Sequence, residues 1–145
     1  MHRRNQSGGA FGLLVLFALL AVCACAGTRA RDDVLEPAMR GAWSGISEEV
    51  ERGAVDARTT GAIDDAGLSR ARTQARAIGT ALGDTAIARP QVQVALAPWK
   101  LQLRPLADRG INAQVAAGEI GPGVAGSKRE RLSQFSTAVD TYLAR

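Results

Sequence analysis

Cys23 and Cys25 are the only cysteines of this 145-residue chain, and His2 is its only histidine. Thiolate and imidazole do much of the nucleophilic, acid–base and metal-binding chemistry available near neutral pH. Here all three groups stand within the first 25 residues. Removal of residues 1–24 would take away His2 and Cys23 and leave Cys25 as the one remaining member of the set. No disulfide, no His/Cys metal set and no His-based triad can then be built. What remains is carboxylates, arginines, hydroxyls and the single Tyr142, with no acidic cluster to announce carboxylate catalysis. The expectation is a non-enzyme, with no catalytic residue, metal or cofactor.

Two further sets of residues are suited to binding rather than reaction. Trp43 and Trp99 are the two tryptophans. They either fill a helical core beside their apolar neighbours or wall an apolar ligand held between helices. Arg70, Arg72 and Arg76 recur along one segment, and Lys128, Arg129 and Arg131 along a later one. Such runs are usually a solvated face. The sharper alternative is a surface for an anionic partner: lipid headgroups, lipopolysaccharide phosphates or an acidic protein face. Basic residues number 18 and acidic ones 14, for a net charge of +4. With Arg3 and Arg4 cleaved away the excess falls to +2, which gives no reason to expect nucleic acid.

The segment that would remove the histidine has the form of an export signal. Arg3 and Arg4 precede the uncharged apolar run Phe11 to Val22. That run is shorter than the roughly 20 residues a membrane span needs, and it fits the hydrophobic region of a secretory signal, about 7–15 residues. Val22-Cys23-Ala24 followed by Cys25 resembles the bacterial lipobox, with an aliphatic residue at −3, a small one at −1 and then the cysteine that receives lipid. The resemblance implies cleavage before Cys25 and acyl chains on Cys25. Each buried CH₂ adds about 0.8 kcal/mol, so stable attachment takes at least two chains. Ala26 after the cysteine implies sorting to the outer membrane. Two alternatives stay open: an A-x-A cut at Ala24-Cys25-Ala26 before Gly27, giving a periplasmic or secreted protein, and an uncleaved N-terminal anchor. The chain as a whole looks like the small helical lipoproteins of GC-rich Gram-negative bacteria. An envelope protein is the implied partner, or else a small apolar or amphipathic ligand carried between the helices.

The elements that must carry these residues repeat. Trp43 aligns with Trp99 and Val50 with Leu106 at a spacing of 56; Arg52-Gly53 aligns with Arg109-Gly110, Gly61 with Gly118 and Ile63 with Ile120 at 57. One residue has therefore been inserted in the second copy, and one supersecondary unit is used twice. The fold expected is all-α: four helices built from two similar hairpins, 33–82 and 91–144, joined by a loop over 83–90. A linker, 25–32, leads in from the lipidated cysteine, and residues 33–145 make one domain.

Within the first unit, Leu35, Met39, Trp43, Ile46 and Val50 draw one apolar stripe on a helix from about Asp33 to Thr60, which Gly45 and Ser47 could bend or split. Gly61 stands where a helix end needs a left-handed residue. Asp64 is the expected N-cap of the next helix, with Ile63 and Leu68 as a hydrophobic staple. Gly121 and Pro122 do the same work in the second unit as N-cap and first helical residue. Val92, Leu96, Trp99, Leu103 and Leu106 predict a helix from about Gln91. A break is expected near Arg104-Pro105, because an interior proline costs roughly 3 kcal/mol. The alternation Gln91 to Val94 also permits a short strand. The glycines of the two Arg-Gly pairs predict close approach of a neighbouring helix, each arginine reaching loop carbonyls or acids such as Asp56 or Asp108.

Overall fold

The computed structural model describes residues 34–145. The signal, Cys25, the rest of the linker and Asp33 lie outside the described residues. Four helical arms follow one another. Helix α1 spans Leu35–Thr59 and α2 spans Asp65–Gly83. The third arm is compound: α3 over Arg89–Leu96, a π-helical turn over Trp99–Leu103, and α4 over Arg104–Ala116. The last arm, α5, spans Pro122–Leu143. No strand occurs among the described residues, and Gln91 to Val94 are helical.

Each copy forms its helix–turn–helix by the same hydrogen bonds. At the end of α1 the Gly61 N–H donates to Arg58 O and the Ala62 N–H to Ala57 O; at the end of α4, Gly118 donates to Val115 O and Glu119 to Gln114 O. These are the paired bonds of a Schellman turn, repeated 57 residues on. They require a left-handed residue at the same place in each copy. Gly61 and Gly118 supply it, with φ of 77° and 71°. Asp64 then caps α2, its carboxylate accepting from the Gly67 N–H at 2.7 Å. Gly121 occupies the matching cap position of α5, and Pro122 opens the helix.

Helix α1 is continuous through Gly45 and Ser47; the Ser47 hydroxyl bonds back to the Ser44 carbonyl. Its buried stripe is Met39, Trp43, Ile46, Val50, Ala54 and Ala57. It crosses α4 where Gly53 meets Gly110. A Cβ on Gly53 would lie 1.7 Å from the Leu106 carbonyl oxygen, and one on Gly110 would lie 2.2 Å from that of Glu49. Each glycine thus faces the carbonyl four residues before the other. The contact maps onto itself when the two copies are exchanged, so α1 and α4 cross on a pseudo-two-fold axis. The arginines brace the same crossing. Arg109 binds Asp56 and Thr60 near the end of α1, and Arg52 binds Glu119 after the end of α4.

Three expectations need correction. Helix α2 continues through Thr80 to Gly83, and α3 begins at Arg89, so the joining loop is only 84–88. Pro90 sits in the first turn of α3, where its missing N–H is harmless, and Asp84 closes the loop by accepting from the Ala86 N–H. The pairing of Val50 with Leu106 is off by one residue. Buried Ile46, Val50, Ala54 and Ala57 correspond to buried Leu103, Ala107, Ile111 and Gln114 at a constant 57, so only the tryptophans remain at 56. The tryptophan pair leaves that register at the turn between Trp99 and Leu103, where i→i+5 bonds run from the Leu103 N–H to Pro98 O and from the Arg104 N–H to Trp99 O. The break expected at Arg104-Pro105 takes this form: the turn is widened just before Pro105, which then starts α4.

Candidate functional site

The tryptophans sit at the centre of the core. Their rings meet edge to face with centroids 6.0 Å apart, and Phe135 packs 4.7 Å from Trp99 and 5.5 Å from Trp43. Phe135 and the edge contact occupy the space a ligand between the rings would need. Such T-shaped pairs add about 0.5–1.5 kcal/mol beyond their buried area. The two rings differ in their polar edges. The Trp99 N–H donates to Ser136 Oγ at 3.0 Å. The Trp43 N–H faces Gly79, whose missing side chain leaves it without an acceptor among the described residues; a Cβ there would be 3.2 Å from Nε1.

That edge of Trp43 forms part of a cleft of about 420 Å³ between α1 and α2. Small residues of α2 one turn apart, Ala71, Ala75 and Gly79, make one wall; Val50 and Ala54 of α1 make the floor. Glu51, Arg72 and Arg76 stand at the rim. Arg72 holds Glu51 with two guanidinium nitrogens. This hydrogen bond is the chief reason the Glu51 carboxyl is held below its ordinary range; the charges of Arg72 and Arg76 act the same way, and partial burial opposes them. Arg76 itself makes no hydrogen bond or ion pair among the described residues, so the rim carries one cation in excess.

Trp43, Arg72 and Arg76 are thus brought together, and the other basic candidates are not. Arg70 lies at the start of α2, in a shallow depression with Arg58 and Asp65. Lys128 pairs with Glu49, Arg129 donates to Asn112, and Arg131 reaches along α1 toward Gly45. Glu49 and Glu51 are two residues apart, about 200° around the helix. The arginines of α2 and the basic residues of α5 therefore flank opposite sides of α1 and make no common face.

The α5 side holds a cluster that sequence reasoning missed. Glu49 and Gln114 are 6% and 4% exposed. Gln114 Nε2 donates to the Glu49 carboxylate and, at 3.2 Å, to Gly110 O; Lys128 Nζ lies 2.5 Å from Glu49 and 2.9 Å from Gln114 Oε1. The only signal for it was position: Glu49 lies three residues from Ile46, on the edge of the apolar stripe. Among the described residues no three of His, Cys, Asp and Glu converge as a metal site, and no helix is long and apolar enough to cross a membrane. In comparison with known proteins, no family model, no curated protein and no solved structure matches the chain.

Proposed function

We propose that this is an exported, lipid-anchored binding protein of the cell envelope, held at the outer membrane by acyl chains on Cys25 with its helical domain in the periplasm. The lipobox-like run ending at Cys25 supports the anchor. The cleft beside Trp43 carries the binding reading: an indole N–H with no protein acceptor among the described residues opens into it, above an apolar floor and beneath an exposed arginine. The test is mass spectrometry on protein extracted from membranes. A diacylated N-terminal Cys25 is the expected result, and Cys25→Ser should release the protein from the membrane fraction. An N-terminus beginning at Gly27 contradicts the anchor.

A second reading, presentation of the domain to another envelope protein, is favoured by the outward side of the third arm. Val94 and Leu101 are 75% and 84% exposed there, with exposed Ala97 between them. Replacing both with Glu should leave the fold intact and abolish recovery of that partner from membranes; unchanged recovery would rule this surface out.

A further inference from the structure

The internal repeat supplies a control for the cleft, because the same place exists twice. At a spacing of 57, Ala71, Ala75 and Gly79 of α2 correspond to Lys128, Leu132 and Ser136 of α5. In the second copy Leu132 is fully buried, Ser136 is buried against the Trp99 N–H, and the Lys128 stem turns inward to Glu49. The first copy carries alanine, alanine and glycine on the same frame, and there the space stands open beside Trp43. The fold therefore does not need the cleft; its twin shows how the same hairpin closes it. What the smaller residues uncover is chemically specific: an indole N–H with no protein acceptor among the described residues, a rim of Arg72 and Arg76 against one Glu51, and an apolar floor.

We infer that this cleft binds a small amphipathic anion, its acidic head held by Arg76 and the Trp43 N–H and its apolar body laid along Val50, Ala54, Ala71 and Ala75. A charged donor and a neutral donor lining one cleft suit a carboxylate or phosphate head, and the volume lies in the range of about 300–1,000 Å³ typical of small-molecule sites. The inference rests on the cleft being a binding site, as proposed above. A free acid and a bilayer lipid share this chemistry.

The experiment uses the mature, unacylated chain from Cys25, whose residues 34–145 form one compact unit. Calorimetric titration is made with monomeric dodecanoate for the free-acid source and with phosphatidylglycerol vesicles for the lipid source. Saturable binding to either supports the inference and names the source. The double substitution Ala75→Leu with Gly79→Ser copies the closed twin and should abolish binding without lowering the melting temperature. Arg76→Gln, on an exposed side chain that leaves packing untouched, should weaken dodecanoate about tenfold, the loss of one charge-assisted contact, while dodecanol binding stays as it was. Dodecanol binding the native protein as tightly as dodecanoate overturns the anionic head. Undiminished binding to a folded double variant overturns the site. Should neither ligand bind, a photo-reactive residue at Ala75 separates the two claims. A protein cross-linked there leaves a binding cleft but overturns the amphipathic anion; no cross-link overturns both.

Discussion

A few residues carry obligations that no neighbour can take over. Gly53 and Gly110 are the strictest, since any side chain at either must enter the opposing backbone. Gly53→Ala should cost about 3 kcal/mol, the upper end of overpacking penalties, and Gly110→Ala a similar amount; urea unfolding midpoints check both. The pair was visible in the sequence because a helical glycine at matched positions wants a reason, although nothing there said that the two glycines would be each other's reason. Glu51 shows a subtler dependence. Arg72 lowers its folded pKa below the ordinary value of 4.5, so the stabilisation is complete above that value and is lost as pH falls through the lower folded value. For a half-exposed pair it should be about 0.2–1 kcal/mol. Thermal melts at pH 6 and pH 3 should show a smaller acid loss in Glu51→Gln than in the native chain.

At the scale of elements, the third arm is where sequence reasoning was least complete. The apolar spacing of Val92, Leu96, Trp99 and Leu103 announced a helix, and Pro105 announced an interruption. The shared answer, a π turn just ahead of the proline, depends on hydrogen bonds that no pattern displays. It has a consequence that can be measured. Deleting exposed Leu101 should return the turn to α geometry but drive the Pro105 ring against the carbonyl four residues before it, at a cost of about 3 kcal/mol. The same deletion with Pro105→Ala should restore the melting temperature to within a few degrees. Deleting Glu48 from α1, which has no such turn, should unfold the domain, because the stripe beyond it rotates by about 100°. The turns and caps were far more legible. Gly61, Asp64, Gly118, Gly121 and Pro122 are local signals, and local hydrogen bonds satisfy them.

For the whole molecule, two similar hairpins differ on their flanks. The polar cluster of Glu49, Gln114 and Lys128 corresponds to Leu106, Ala57 and Ala71, an apolar solution of the same packing problem. The triple substitution Glu49→Leu, Gln114→Ala and Lys128→Ala should therefore leave stability unchanged or raise it. Lys128→Ala alone should cost about 3 kcal/mol by stranding a buried carboxylate. Chemical denaturation of the two variants distinguishes these outcomes. The repeat and its all-helical form were open to inspection in the sequence. The division of the basic residues between opposite sides of α1 was not, since it follows from which helices α1 touches. The proposed site is the cleft beside Trp43 and not its twin beside Trp99. The chain has only these two tryptophans, so its proton–nitrogen NMR spectrum holds two indole N–H signals. On titration with dodecanoate the Trp43 signal should move and saturate while the Trp99 signal, bonded to Ser136, stays in place. A Trp43 signal that does not move, or a Trp99 signal that moves with it, would rule out a site confined to the cleft beside Trp43.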